Sequence, residues 1–147
     1  MDEEAIHAGL KSVGIQVWDS DHNIVLDQIN KLQNTDPSAG EIKQLMISLL
    51  HFAEIHLRSE ERMMQELGYP DLESHKQEHD KFRQWFKEQN QLRLRAPEDW
   101  DNQKVSCYLR NWWTSHIQEV DMAYKDFFAA RMEEVQAHLD QHRSSPV

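Results

Sequence analysis

Apolar residues recur at steps of three and four along most of this chain, which is the spacing of one face of an α-helix. The pattern is interrupted at Asp36-Pro37, at Gly68-Tyr69-Pro70 and at Ala96-Pro97, and such breaks are typical of helix ends. No stretch alternates apolar and polar residues for long enough to predict a β-strand. The pattern therefore predicts four helical segments, at about Ser20–Thr35, Ser38–Leu67, Asp71–Arg95 and Glu98–His138.

The connections between these segments are short, so consecutive helices should run antiparallel. We therefore expect an all-α protein, an antiparallel up-down-up-down four-helix bundle with an extended N-terminal arm. A length of 147 residues suits one domain with one core. Within this single domain (1–147) we place the arm at residues 1–19, the bundle at 20–142 and a frayed tail at 143–147.

Composition changes this picture mainly by excluding partners. The chain carries 26 acidic and 16 basic residues, a formal net charge of −10, whereas binding to nucleic acid or anionic membranes needs clustered Lys and Arg. No apolar run approaches the roughly 18 residues that span a membrane, and no signal-peptide pattern begins the chain. The single cysteine, Cys107, cannot form an internal disulfide. We therefore expect a cytoplasmic protein with no nucleic-acid or membrane partner.

Each of the four predicted core faces also carries ionisable residues. In chain order these are His22, then His56 and Glu60, then His75 and His79, then His116 and Asp121. A carboxylate in an apolar core costs several kcal/mol unless it is paired or bound to a metal, and no Lys or Arg falls on the same faces. Bound cations are therefore the simplest source of the missing positive charge. The apolar part of the second core face is expected to include Phe52, and that of the fourth Trp112.

The spacing of these residues supports a metal site. Residues four apart on a helix have Cβ atoms about 5–6 Å from each other, as in His56-x-x-x-Glu60 and His75-x-x-x-His79. His116 and Asp121 are five apart, which turns an ideal helix by roughly 140°. Either both side chains straddle the core face or a π-bulge brings them together, and the spacing alone leaves both geometries open.

The donor set narrows the choice of metal. Five imidazoles and two carboxylates without thiolates suit iron, with zinc, manganese and copper as alternatives. Seven protein ligands are too many for one tetrahedral zinc ion and fit two ions that share bridging carboxylates.

The run from Val13 to His22, followed by the three spaced motifs above, resembles the hemerythrin family over most of the chain. The resemblance implies two non-haem iron ions with an oxo or hydroxo bridge. It implies that His75, His79 and His116 bind one iron, that His22 and His56 bind the other, and that Glu60 and Asp121 bridge them. It further implies that O2 binds at an open position of the second iron, in a pocket that includes Trp113 and Ile117.

Trp113 departs from the family, which often has a smaller apolar residue such as Leu at this position. A Trp there is expected to narrow the O2 pocket or to donate its indole N–H to the bound O2. His7, His51, His138 and His142 are not expected to bind metal.

The resemblance favours reversible O2 binding for storage, delivery or scavenging, without enzymatic activity. The alternative is an O2 or redox sensor domain, in which the long fourth segment continues through Gln136–Arg143 as a linker to a partner protein or effector domain. An enzyme that uses the di-iron centre for peroxide or nitric-oxide chemistry is a third hypothesis.

Two other metal motifs fit the sequence less well. An inverted zincin motif at His75–His79 leaves five of the seven residues unexplained. A ferritin-like oxidase needs Glu-x-x-His on two helices, and only Glu4–His7 has that spacing.

Overall fold

The computed structural model describes residues 10–37 and 40–143. In this part of the chain the helices are α1 (Gln16–Gln33), α2 (Ile42–Leu67), α3 (Leu72–Arg95), α4 (Asn102–Ser115), α5 (Lys125–Ala129) and α6 (Met132–Arg143). Two 3-10 turns (Pro97–Asp99 and Asp121–Tyr124) and one π-helical turn (His116–Val120) lie between them. Because none of the described residues forms a strand, the predicted all-α class is confirmed.

The long helices form the predicted antiparallel bundle. As residue numbers increase along one helix, the numbers of the residues that they contact on the neighbouring helix decrease. The pairs are Trp18–Ser59 and His22–His56 between α1 and α2, Glu54–Arg83 and Glu61–His79 between α2 and α3, and Trp85–Tyr108 and Phe82–Trp112 between α3 and α4.

The first helix begins at Gln16, four residues before the predicted start at Ser20. Gly14, with a φ of +86°, turns the chain in a conformation that favours glycine, and Ile15 is extended before the helix begins. Val13 and Trp18 are buried, so this part of the predicted arm belongs to the core. Residues 1–9 of the arm, residues 38–39 and the tail at 144–147 lie outside the described residues.

The buried apolar residues form two clusters. The larger cluster includes Val25, Leu57, Phe82 and Ile117, and the smaller one includes Trp18, Met63, Tyr124 and Val135. Along each long helix the predicted ionisable residues fall between members of the two clusters, as His22 does between Trp18 and Val25. The bundle therefore contains a polar layer between two apolar layers.

Two residues of the predicted core faces lie elsewhere. Phe52 is 38% exposed, and its neighbour Ala53 is buried instead. Trp112 is half-buried at the edge of the bundle, where its ring packs on Phe82, while Trp113 points into the core. A period of three and four residues leaves the choice between such neighbours open, and packing against the other helices decides it.

The prediction of one continuous fourth helix was wrong. The helix is interrupted by the π-helical and 3-10 turns and ends at Ala129, and α6 begins after a turn at Ala130 and Arg131. The Arg131 guanidinium donates to the Phe127 carbonyl oxygen at 2.8 Å and lies over the Phe127 ring, which satisfies the end of α5. Val135 is fully buried in the smaller cluster, so α6 folds back on the bundle instead of extending away as a linker.

Among the described helices, none combines the length and the apolar character that a membrane span requires.

We expect Val135→Asp to lower the free energy of unfolding by about 2–4 kcal/mol, because it places an unpaired carboxylate in the smaller apolar cluster. Met132→Asp is the matched control, since Met132 lies on the same helix and is 40% exposed. Denaturant unfolding measures both. Equal stabilities for the two variants would contradict the docking of α6.

Candidate metal centre

Seven ionisable side chains converge in the polar layer of the bundle. His22 comes from α1, His56 and Glu60 from α2, His75 and His79 from α3, and His116 and Asp121 from the π-helical turn and the residue after it. Each of the seven is at most 5% exposed. These are the seven residues that the sequence predicted as metal ligands, and the structure brings all of them together.

The two carboxylates divide their oxygen atoms between two groups of histidines. Glu60 Oε2 lies 3.2 Å from His56 Nε2, and Glu60 Oε1 lies 3.2 Å from His79 Nε2. Asp121 Oδ2 lies 3.4 Å from His22 Nε2, and Asp121 Oδ1 lies 3.0 Å from His116 Nε2. Glu60 and Asp121 therefore stand between a group with His22 and His56 and a group with His75, His79 and His116.

The π-helical turn settles the geometry that the spacing left open. In a π-helix the hydrogen bonds join residues five apart, which is the separation of His116 and Asp121. The turn over His116–Val120 therefore brings both side chains to the same face of the helix. In an uninterrupted α-helix the directions of the two side chains would have differed by roughly 140°.

The contacts within the cluster fit bound cations. His22 Nε2 faces His56 Nε2 at 3.0 Å, and His79 Nε2 faces His116 Nε2 at 3.2 Å. Asp121 Oδ1 lies 3.0 Å from His116 Nε2, but it has no hydrogen bond of suitable geometry among the described residues. Buried nitrogen and oxygen atoms that face one another without enough hydrogen atoms to share are stabilised by a positive ion between them. The donor set of the cluster thus suits a metal site.

Carboxylates outside the cluster orient two of the imidazoles. His56 Nδ1 lies 3.0 Å from Asp21 Oδ2, and His79 Nδ1 lies 2.6 Å from Glu61 Oε2. Arg83 in turn donates to Glu61 at 2.9 Å. A carboxylate that accepts the Nδ1–H of a histidine fixes the ring so that Nε2 is the free donor, and it increases the basicity of that nitrogen.

The sequence did not identify these outer partners. Asp21 and Glu61 stand next to His22 and Glu60, but acidic residues at the edge of a helix face usually lie in water. Tyr124 was also missed, and its hydroxyl donates to Glu60 Oε2 at 2.6 Å. The available signal was its position three residues after Asp121, which places both on one helix face.

With no metal bound, the cluster shifts the pKa of five of its groups toward the charged form, namely His56, Glu60, His75, His79 and Asp121. Burial lowers the pKa of His56, but Glu60 and Asp21 outweigh this effect and raise it to about 10. Burial likewise lowers the pKa of His75, and Asp121 and Glu60 raise it to about 9. Burial raises the pKa of Glu60, yet the histidines hold it well below its usual value. Protonated histidines therefore neutralise the carboxylates in the absence of a metal.

The two residues predicted to line the O2 pocket are buried, with Trp113 at 2% and Ile117 at 1% exposure. The edge-on rings of Trp113 and His22 have centroids 5.9 Å apart, and those of Trp113 and His56 are 5.8 Å apart. The Trp113 indole N–H donates to the His22 carbonyl oxygen at 3.1 Å. That N–H already has a partner, which counts against the expectation that it donates to a bound ligand.

The fold and the cluster define a four-helix-bundle protein with a buried histidine–carboxylate site for cations. Residues 13–128 match the model of the hemerythrin HHE cation binding domain. The chain belongs to the hemerythrin family, which confirms the resemblance noted in the sequence.

Similar proteins agree with this assignment. A bacteriohemerythrin from Methylococcus capsulatus is 34% identical over 108 residues, which cover 72% of this chain and 82% of that protein. A hemerythrin-like protein from Naegleria gruberi is 31% identical over 113 residues, covering 77% and 84%. A crystal structure of wild-type hemerythrin superimposes with a TM-score of 0.70 at 32% identity and covers 78% of this chain and 88% of that chain.

We expect the melting temperature of the metal-free protein to fall by about 5 °C or more between pH 7 and pH 10. The usual histidine pKa of 6.5 rises to about 10 for His56 and about 9 for His75 in the folded protein. Their stabilising contribution is therefore complete below pH 6.5 and is lost as the pH rises through 9 to 10.

Calorimetry of the chelator-treated protein measures this dependence, with metal-free His56→Gln as the control that should respond less steeply. A melting temperature that stays constant or rises over this range would show that the histidines do not neutralise the carboxylates.

Proposed function

We propose that this protein binds O2 reversibly at a di-iron centre held by His22, His56, Glu60, His75, His79, His116 and Asp121. In this proposal His75, His79 and His116 hold one iron, His22 and His56 hold the other, and Glu60 and Asp121 bridge the two. Membership of the hemerythrin family and the donor set support iron, and the role would be storage, delivery or scavenging of O2.

The observation that carries the proposal is the unequal number of donors in the two groups. One group has three histidines and the other has two, and both share the same two carboxylates. With one solvent-derived bridge, six-coordination is complete in the first group and leaves one position free in the second. The free position is the place where a small ligand can bind without displacing a protein side chain.

The side chains around the second group keep that position dry. Trp113 closes one side of the His22–His56 pair, and Trp18, which is fully buried, meets the His56 ring edge-on with centroids 6.0 Å apart. Apolar walls of this kind exclude bulk water, which limits proton delivery and unproductive oxidation. This environment favours reversible binding over turnover.

The bridging carboxylates are themselves held in place. The Tyr124 hydroxyl donates to Glu60, and because burial and the Glu60 charge raise the Tyr124 pKa, the hydroxyl stays protonated. Iron in such a centre supplies the electrons and the open coordination position that O2 requires. The protein supplies the geometry, the orientation of the imidazoles by Asp21 and Glu61, and the exclusion of water.

In the sensor alternative, a long fourth helix was expected to serve as a linker to a partner protein or effector domain. Because α6 folds back on the smaller apolar cluster, that helix is not available in the described part of the chain. The O2-binding proposal does not depend on it.

The metal assignment predicts two iron ions per chain by elemental analysis. We expect His56→Ala to lower the iron content, and Glu60→Ala to lower it further because Glu60 belongs to both groups. Both variants should also lose the stabilisation that bound metal gives the folded protein.

The matched control is His51→Ala, which removes an exposed histidine from the same helix as His56. Its iron content and melting temperature should equal those of the unaltered protein. One zinc ion in place of the two iron ions, no bound metal at all, or full iron loading of both Glu60→Ala and His56→Ala would refute the proposed centre.

The O2 proposal predicts that the ferrous protein gains a visible absorption band when O2 is added and loses it when O2 is removed. The closed, dry environment of His22 and His56 is the physical reason for reversibility. Repeated cycles in a sealed cuvette, with iron-free protein as the blank, measure the effect. Rapid irreversible oxidation in the first cycle, together with a change in molecular shape by X-ray scattering, would instead support the sensor alternative.

A further inference from the structure

A second group of metal-ligating side chains lies where the last helix packs on the second. Glu66 is in the last turn of α2, and His138 and His142 are one turn apart on α6. The two histidines have the same spacing as His75 and His79. Glu66 follows Glu60 by six residues, about 9 Å along the helix axis, so this group is separate from the seven-residue cluster.

The three side chains are arranged around a common point. One ligand atom from each lies within 4.8 Å of the others. His138 Nδ1 contacts Glu66 Oε2 directly, His142 Nε2 lies 3.6 Å from Glu66 Oε1, and the two imidazole centroids are 4.2 Å apart. Helix α6 thus presents two ring nitrogens to one carboxylate of α2.

One of these nitrogens has no hydrogen-bond partner among the described residues. His142 Nε2 is buried and unpaired, although the rest of its side chain is partly exposed. Its distance of 3.6 Å from Glu66 is too long for a hydrogen bond. A buried ring nitrogen aimed at a carboxylate, without a hydrogen bond to it, is the arrangement that an ion between them completes.

A neighbouring cation competes for the same imidazole. Arg62 Nη1 lies 3.2 Å from His142 Nδ1 and donates to it, which leaves the proton of His142 on Nε2. Binding of a metal at Nε2 requires that proton to move to Nδ1 and the Arg62 side chain to turn away. Arg62 is exposed, so it can move into water without disturbing the core.

Contrary to the expectation from the sequence for His138 and His142, we propose that Glu66, His138 and His142 form a mononuclear site for a divalent cation of the zinc type, which fastens α6 to α2. Two imidazoles and one carboxylate are a donor set that zinc accepts, and water fills the fourth position. His138 is nearly buried and Glu66 is exposed, so the site opens to solvent on the carboxylate side. This proposal stands independently of the O2 function, because it shares no residue with the di-iron centre.

The test is a calorimetric titration of the iron-loaded protein with ZnCl2. We expect one zinc ion per chain beyond the iron, and His142→Ala and Glu66→Gln should each weaken its binding at least about tenfold. Both substitutions are at partly exposed positions, so they should leave the iron content and the circular dichroism spectrum unchanged. Zinc should also raise the melting temperature of the unaltered protein and not that of His142→Ala.

The variant Arg62→Ala distinguishes a metal site from a purely hydrogen-bonded contact between Glu66 and the two histidines. Removal of the competing cation should strengthen zinc binding, whereas in a metal-free contact it would only lower the melting temperature. His51→Ala, which alters an exposed histidine on α2 away from this group, should bind zinc as the unaltered protein does. Equal zinc uptake by the unaltered protein and His142→Ala, or no uptake by either, would overturn the proposal.

Discussion

Two carboxylates buried at the centre of a helical bundle are the constraint on which the rest of this structure depends. Glu60 is fully buried and Asp121 is 1% exposed, and each presents one oxygen to each of two histidine groups. An ionised carboxylate cannot remain in such a place without positive charge, which protonated histidines provide in the metal-free protein and cations provide in the proposed loaded state. The polar layer, the π-helical turn and the outer hydrogen bonds all place or orient the side chains that neutralise these two carboxylates.

The same polar layer divides the apolar core, and the stability of the fold therefore depends on the protons or metal ions that this layer binds. Apolar clusters lie on both sides of the seven residues, so neither cluster extends through the whole bundle. Apolar packing stabilises the bundle on either side of this layer, and charge neutralisation stabilises the layer itself. Where metal binds only the folded chain, its binding free energy adds directly to the stability of the fold.

Much of this arrangement could be predicted from the sequence, because ionisable residues on four apolar helix faces are an anomaly that few explanations fit. The bundle and the convergence of the seven residues followed from periodicity and charge. The return of α6 did not, since neither Gly nor Pro marks the turn at Ala130 and Arg131. Sequence reasoning missed Tyr124, Asp21 and Glu61 for another reason. Their positions along the chain are those of ordinary polar residues, and their partners become visible only when the helices are packed together.

The two histidine groups differ in their outer contacts as well as in their number of donors. Glu61, which orients His79, forms an ion pair with Arg83, and Arg83 also forms an ion pair with Glu54. Asp21, which orients His56, is 26% exposed at the side of the group with fewer donors. A carboxylate on the far side of an imidazole makes it a stronger donor and so favours the more highly charged state of the ion it binds. In the proposed centre, Asp21 would therefore assist the transfer of electrons from the ion held by His22 and His56, whose coordination is incomplete. Coordination number and outer charge thus both favour this ion as the place where O2 binds.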